Sequence, residues 1–163
     1  MAIATESGNG WAGASSGGSA TSVAKTFAST VGAGSLMVAV TQILTPGETV
    51  TFSDGTNTWT SVTPTASNGA VYGTLAFGFA INGSAGSRTV TSSSTTSCNR
   101  AIATCSYTGA SASPLDGTPT SAVGPGSSAV VAPGSITTTG AGLLLAAGVA
   151  TGAGPLTAAS GYT

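Results

Sequence analysis

The chain contains no histidine and almost no charge. Of its 163 residues, three are Lys or Arg and four are Asp or Glu, which gives a formal net charge of −1. Without histidine, neither a Ser-His-Asp triad nor a Cys-His pair can form, and zinc sites that use histidine are excluded. Three basic side chains cannot neutralise a nucleic-acid backbone or hold the chain on an anionic membrane. We therefore expect no nucleic-acid partner and no membrane partner.

The four carboxylates are the remaining groups that could carry acid–base chemistry. A carboxylate pair can hydrolyse a glycosidic bond. Here each carboxylate lies near glycine or proline in a turn-like context, and no two share a predicted strand. We therefore predict that the protein is not an enzyme and uses no cofactor. The four residues are Glu6, Glu48, Asp54 and Asp116.

The segment from Asp54 to Asn57 offers a carboxylate and carbonyl oxygens of the kind that calcium binds. Calcium takes six to eight oxygen ligands, and one carboxylate is few for such a site. Asp and Asn at a turn more often accept hydrogen bonds from the turn's own backbone. We predict the turn and no metal site, and the same interpretation applies to Asp116.

Long hydrophobic runs are also missing. The most apolar stretch, residues 142–150, spans about nine residues, whereas a membrane helix needs about 20. The first residues lack the basic and apolar regions of a secretory signal. We expect a chain that stays in the cytosol where it is made, or one whose leader is absent from this sequence.

The chain has two cysteines, Cys98 and Cys105. In one straight strand their Cα atoms would lie roughly 23 Å apart, at about 3.3 Å per residue, and the odd spacing directs them to opposite faces. A disulfide needs about 4.4–6.8 Å, so the two can pair only if a turn falls between them. We predict free thiols, with Cys105 as a small core residue.

Helix formers are scarce, and 25 glycines interrupt the windows in which a helix could propagate. Thr and Val are abundant instead, in short runs between turn residues, which is typical of a β-sandwich or barrel. We predict an all-β, antiparallel β-sandwich of jelly-roll or Greek-key type with about eight strands. Two low-complexity segments, 92–97 and 137–140, are predicted loops. Gly73 and Gly78 are predicted where another part of the backbone approaches closely. Candidate strands are 21–30, 35–44, 49–53, 58–63, 70–81, 88–92, 99–107, 129–138 and 143–151.

The chain divides by composition near residue 20. Residues 1–20 are predicted to form a flexible Gly/Ser-rich N-terminal arm, and residues 21–163 a β-sandwich domain. Trp11 is the one large side chain in the Gly/Ser/Ala-rich part of the arm, where an indole without a partner would be exposed. It is our candidate contact with another chain, against the alternative that it packs on its own domain.

Other aromatic and basic residues have two interpretations each. Trp59, Tyr72 and Tyr107 could stack on a sugar ring, but an aromatic residue on a strand more often packs in the core. Arg88 and Arg100 could anchor an interface, but solvated charges that protect a sheet edge are the default expectation.

Six short segments, spread over about residues 20–163, follow one another in a specific order. They read as a buried strand, an Asp-x-x-Asn-x-Trp turn, an outer strand, a strand ending in Tyr-x-Gly, a Pro-Leu-Asp turn and a late strand after a Thr-rich loop. They lie at 34–40, 54–59, 76–80, 103–109, 113–116 and 137–145.

In this order the chain resembles a family of jelly-roll-like β-sandwich domains of phage structural proteins, also found in bacterial surface proteins. The sequence departs from the family twice. It stops at Thr163, where the family continues with one or two strands, so we expect the domain to lack its last strands and another chain to complete that edge. It also has Cys105 and Ser106 where family members often carry a carboxylate. The family has no shared catalytic centre, so no site residues follow from the resemblance.

The resemblance implies a non-enzymatic structural protein of a virion, most specifically a phage capsid decoration (cement) protein or a small head or tail appendage. Its partners would be other virion proteins, the major capsid protein or a tail component, and further copies of itself. It would be made in the bacterial host cytoplasm and reside in the virion. The alternative is a carbohydrate-binding or adhesive module of a bacterial surface protein, which would be extracellular.

Overall fold

A computed structural model of the chain describes residues 2–62, 73–116, 142, 143 and 145. These residues form nine β-strands and contain no helix. The strands are β1 (Ala4–Thr5), β2 (Ala12–Ser15), β3 (Ala20–Thr26), β4 (Leu36–Ile43), β5 (Thr51–Ser53), β6 (Thr60–Val62), β7 (Thr74–Ile81), β8 (Thr89–Cys98) and β9 (Arg100–Thr108).

The strands form two antiparallel sheets. In the larger sheet the order is β1–β9–β4–β7–β6, and β2 also pairs with β9; in the smaller sheet it is β3–β8–β5. From β2 to β5, and again from β7 to β9, successive strands alternate between the two sheets. This is the connectivity of a jelly-roll sandwich. The predicted all-β antiparallel sandwich is confirmed.

β4 occupies the centre of the larger sheet, between β7 and β9. The sequence predicts a strand buried on both faces here, and six of the eight residues at 36–43 are buried, with side chains that project alternately to the two faces. One set joins β7, β9 and the smaller sheet in an inter-sheet core. Full burial of each large apolar side chain contributes about 1.5–3 kcal/mol. The buried members of this core are Val23, Phe27, Val31, Met37, Ala39, Ile43, Val50, Phe52, Ala76, Ala80, Val90, Cys98 and Ile102.

The opposite face of the larger sheet, here called the outer face, is also apolar. Leu36, Val38, Cys105 and Tyr107 form a second buried cluster on it. After β9 the chain turns at Gly109, and Ala110 and Leu145 pack against this cluster, as do two side chains of β7. The larger sheet therefore has apolar neighbours on both faces, whereas the smaller sheet alternates between buried and exposed residues.

Close packing explains two glycines, one immediately before β7 and one within it. A Cβ at Gly73 would lie 1.9 Å from the carbonyl oxygen of Ile43, and the φ angle of Gly73 is +88°. This is the close backbone approach that the sequence predicts. At Gly78 the neighbour is a side chain instead, because a Cβ there would lie 2.4 Å from the ring of Phe52.

The prediction for residues 88–98 was wrong in its extent. We expected a strand at 88–92 and a loop at 92–97, but β8 runs to Cys98 and pairs with both β3 and β5. A Ser/Thr-rich segment resembles a loop in composition. Its small and β-branched side chains nevertheless suit a central strand whose backbone bonds both neighbours.

The predicted N-terminal arm lies on the sandwich. β1 and β2 both pair with β9, in a register that joins Thr5 to Tyr107 and Ala12 to Thr104. This placement differs from the prediction of an arm outside the domain. A Gly/Ser-rich composition indicates only a tendency to disorder. Here the segment is attached by backbone pairing with β9 and by one carboxylate, described below.

Several predicted features lie outside the described residues. These are the strand at 129–138, the loop at 137–140 and, apart from residues 143 and 145, the strand at 143–151. Tyr72 and the start of the predicted strand at 70–81 also lie there, as does the stretch that ends at Thr163.

Candidate functional site

Trp11 precedes β2 and projects from the edge of the larger sheet. Because Ala12 pairs with Thr104, the same register places Trp11 beside Cys105, on the outer face. Its side chain is 47% exposed. Its indole also interacts with the Tyr107 hydroxyl, and this interaction acts to lower the pKa of Tyr107. Exposure agrees with the sequence interpretation of Trp11 as a surface residue, and the partner contact stays a prediction.

The segment that carries Trp11 is fastened by the carboxylate of Glu6. This carboxylate accepts hydrogen bonds from the Gly32 backbone at 2.7 Å, the Ser106 hydroxyl at 2.6 Å and the Ser35 hydroxyl at 3.2 Å. The Asn9 amide approaches at 3.4 Å, which is a weak contact. One side chain thus joins the N-terminal segment to the loop before β4 and to β9.

Backbone bonds complete this attachment. Glu6 donates to the Ser106 carbonyl at 2.9 Å, and the Ser106 amide donates to the Asn9 carbonyl at 3.1 Å. Residues 7 and 8 therefore loop out, while Glu6 and Asn9 both face Ser106. The Asn9 side chain is buried and accepts a hydrogen bond from the Ser29 backbone at 2.9 Å. We call Glu6, Asn9 and their partners the Glu6 clasp.

Partial burial acts to raise the pKa of Glu6, but the hydrogen bonds from Ser106, Gly32, Asn9 and Ser35 outweigh it. The pKa of Glu6 is therefore below its ordinary value, and the clasp uses the ionised carboxylate. The sequence analysis treated Glu6 as an isolated turn carboxylate. Spacing along the chain gives no signal for its partners, because they lie 26, 29 and 100 residues away.

The groups beneath Trp11 are uncharged at neutral pH. Burial raises the pKa of Cys105, and burial together with Cys105 raises the pKa of Tyr107 to about 12. Trp11 therefore adjoins a neutral, largely apolar surface. Ile3, 36% exposed, lies on the same N-terminal segment.

Both cysteines are free, as predicted, and both are buried, although burial was predicted only for Cys105. Cys98 belongs to the inter-sheet core and Cys105 to the cluster on the outer face. A turn does fall between them at Asn99, but the two thiols lie on opposite sides of the larger sheet.

Asp54 forms the turn that the sequence predicts. Its Oδ1 accepts hydrogen bonds from the Thr56 and Asn57 amides at 3.0 and 2.8 Å, and its Oδ2 accepts one from the Asn57 side chain at 2.6 Å. The same oxygen lies 3.8 Å from Nε of Arg88. Partial burial acts to raise the pKa of Asp54, and the bonds from Asn57 and Thr56 lower it further than burial raises it.

The remaining aromatic and basic candidates either pack in a hydrophobic cluster or take part in a hydrogen-bond network. Trp59 packs on Phe52 at a ring separation of 6.1 Å, as the core interpretation predicts, and Tyr107 is buried. Arg88 is held by the network around Asp54. Arg100 is 3% exposed, so its interpretation as a solvated edge charge was wrong. Arg100 is buried because its side chain projects inward from β9. The sequence predicts the strand but not the face to which this side chain projects.

Among the described residues, no cluster of three or more His, Cys, Asp or Glu side chains is arranged to hold a metal ion. The same part of the chain holds no helix with the length and hydropathy needed to span a membrane. No protein-family model matches the sequence, and no significant similarity to a curated protein or to a solved structure was found.

Proposed function

We propose that this protein is a non-enzymatic structural protein that acts through contacts with other proteins, most specifically a phage capsid decoration protein or a small head or tail appendage. The observation that carries the proposal is Trp11, a large aromatic side chain that is 47% exposed on a segment fastened to the sandwich. The order of segments that resembles phage structural domains gives the more specific assignment.

Rigid aromatic anchors are what protein interfaces use most. Tryptophan is enriched among the interface residues whose replacement by alanine costs about 2 kcal/mol or more of binding free energy. The Glu6 clasp holds the segment before any partner arrives. Such a surface loses little conformational entropy on binding, which favours affinity.

The proposal requires that purified particles of the virus encoding this chain contain it in stoichiometric amounts. Particles prepared without the chain should bind the purified protein, and Trp11→Ala should weaken binding at least about 30-fold, the factor for roughly 2 kcal/mol. Leu44→Ala is the matched control, because Leu44 is 50% exposed at a distant strand end. Absence of the chain from particles contradicts the proposal. If both variants lose the same amount of binding affinity, Trp11 is not the specific contact with the particle.

The runner-up is a carbohydrate-binding or adhesive module of a bacterial surface protein, which the same exposed indole supports because aromatic faces stack on sugar rings. Calorimetric titration with oligosaccharides from bacterial envelopes separates the two proposals. Saturable binding that Trp11→Ala abolishes, in a chain absent from particles, favours the module.

We also propose that the protein is a homo-oligomer at working concentration. A sandwich with so few charges has little electrostatic protection against association of its sheet edges. Sedimentation equilibrium of the purified chain measures this directly, and a monomer across the accessible concentration range contradicts it.

A further inference from the structure

Asn9 and Asn82 are each followed by glycine, and both asparagines are buried. In an Asn-Gly pair the backbone nitrogen of the glycine can attack the asparagine side chain, because glycine has no Cβ to hinder the approach. Asparagine is for this reason among the chemically labile residues of proteins. A third pair, at 68–69, lies outside the described residues. The surroundings of the two described pairs differ, and the difference determines which of them reacts.

The amide of Asn82 is bonded at both its nitrogen and its oxygen. Nδ2 donates to two backbone carbonyls at 3.0 and 2.9 Å, and Oδ1 accepts a hydrogen bond from Nε of Arg88 at 2.9 Å. The backbone nitrogen of Gly83 is bonded too, since it donates to Oδ1 of Asn57 at 2.9 Å. Attack by this nitrogen would break that bond and those of the Asn82 side chain. The pair at Asn82 is therefore protected.

The amide of Asn9 is held more loosely at its nitrogen. Nδ2, the group that leaves in such a reaction, makes weak contacts of 3.4 Å with Oε2 of Glu6 and with the Thr30 carbonyl. Its Oδ1 accepts a hydrogen bond from the Ser29 backbone at 2.9 Å. A donor at this position stabilises the negative charge that develops on the oxygen when the side-chain carbon is attacked. The surroundings of Asn9 therefore favour attack on its side chain.

Gly10 supplies the attacking nitrogen. The register of β2 on β9, continued toward the N-terminus, places Gly10 opposite Ser106. The Ser106 carbonyl instead accepts the hydrogen bond of the Glu6 backbone at 2.9 Å, and the Gly10 amide has no acceptor in the part of the chain that the structure describes. Gly10 is also exposed, so hydroxide and water reach its nitrogen although the Asn9 side chain is buried. The clasp thus leaves the reacting nitrogen free.

We propose that Asn9 is a site of spontaneous deamidation and that its conversion opens the Glu6 clasp. Hydroxide takes the proton of the Gly10 amide, and the nitrogen forms a bond to Cγ of Asn9. The Cγ–Nδ2 bond breaks, and the leaving nitrogen takes protons from the amide and from water, so that ammonia departs and hydroxide is regenerated. The succinimide then adds water. Cleavage of its Cγ–N bond gives aspartate, and cleavage of its other bond to this nitrogen gives isoaspartate.

Either product disrupts the clasp. Aspartate puts a second carboxylate where the Nδ2 donor now lies 3.4 Å from Oε2 of Glu6, and the two like charges repel. Isoaspartate routes the backbone through the former side chain, which takes the Asn9 carbonyl, the acceptor of the Ser106 amide, out of the main chain. If the proposed function holds, this reaction limits how long the segment that carries Trp11 stays in place.

The first test is mass spectrometry of the folded, unmodified chain after incubation in mildly alkaline buffer, with fragment ions to locate the modified residue. Asn9 should gain the mass of water less that of ammonia several-fold faster than Asn82. Gly10→Ala is the matched variant, since an added Cβ meets no atom within 4 Å, and it should slow the conversion of Asn9 several-fold. Conversion of Asn9 that is no faster than that of Asn82, or that Gly10→Ala leaves unchanged, overturns the proposal.

The second test measures the opening of the clasp by thermal unfolding at neutral pH. Asn9→Asp should lower the melting temperature by about 2–8 °C. Glu6→Gln should lower it less in the Asn9→Asp chain than in the unmodified chain, because it removes one of two like charges there. Asn99→Asp adds the same charge at an exposed turn and should change little. A melting temperature unchanged by Asn9→Asp, or equal effects of Glu6→Gln in both chains, overturns the opening. Both tests use the free protein, so their outcome is independent of particle binding.

Discussion

Replacing Glu6 with alanine removes the acceptor at which the N-terminal segment, the loop before β4 and β9 meet. The change leaves the Gly32 amide and the Ser106 hydroxyl without their 2.7 and 2.6 Å partners. Ser35 loses a longer bond of 3.2 Å. Ser106 is fully buried and cannot turn to water, whereas the carboxylate itself is partly exposed.

The expected loss follows from these contacts. A hydrogen bond to a charged group contributes about 1.5–3 kcal/mol, and partial exposure reduces each contribution. Two strong bonds and one weak one give a loss of about 2–4 kcal/mol in the free energy of unfolding. For a chain of this length the melting temperature should fall by about 5–15 °C.

Urea and thermal unfolding, followed by circular dichroism, measure this loss. Glu48→Ala is the matched control, because Glu48 is also a carboxylate with a lowered pKa, but its partners are the hydroxyls of Thr95 and Thr96 on the surface. We expect little change for that variant. If Glu6→Ala has the same melting temperature as the unmodified chain, or if both variants lose equal stability, the Glu6 clasp does not hold the segment.

Acid provides a second measurement of the same carboxylate. Since folding lowers the pKa of Glu6, its contribution is fully present above the ordinary carboxyl pKa of about 4.3 and disappears as the pH falls through the lowered value. The unmodified chain should therefore lose stability below about pH 5. The variant Glu6→Gln, which does not titrate, should lose less over that window, and parallel curves would contradict the assignment.

Three further outcomes are expected. Gly78→Ala should lower stability by about 1–3 kcal/mol in urea unfolding, because the new Cβ would lie 2.4 Å from the Phe52 ring. Asn82→Ala should lower it by about 2–4 kcal/mol, since the Asn82 amide donates to two backbone carbonyls at 3.0 and 2.9 Å, and unchanged stability would contradict this network. Cys98 and Cys105 should react with a thiol reagent only as fast as the chain unfolds, whereas rapid labelling of either in the native protein would contradict its burial.

Periodic features were predictable because they depend on neighbours along the chain. The strands at 35–44, 49–53 and 99–107 matched β4, β5 and β9 closely, since β-branched and apolar residues are concentrated in each run. The turn at Asp54 was predictable for the same local reason, because its partners Thr56 and Asn57 follow within three residues.

Long-range features were not predictable in this way. Glu6 accepts a hydrogen bond from Ser106, which lies 100 residues away in the sequence, and nothing in either residue type predicts this pairing. Arg100 was placed in a strand correctly, but the face to which it projects depends on where that strand sits in the sheet. The Ser/Thr-rich part of β8 was misassigned because its composition is that of a loop, whereas two neighbouring strands determine its conformation.

The position of β9 imposes an order on folding during synthesis. This strand lies between β4 and the N-terminal strands, yet it is made about a hundred residues after them. At roughly 5–20 residues per second, β1 and β2 wait for about 5–20 s without their partner, and one edge of β4 is open for most of that time. A ribosome-bound chain that ends before Arg100 therefore exposes the apolar centre of the larger sheet. Arrest at that length is where we expect a nascent chain of this protein to bind chaperones most strongly, and extension past Thr108 is the step that releases it.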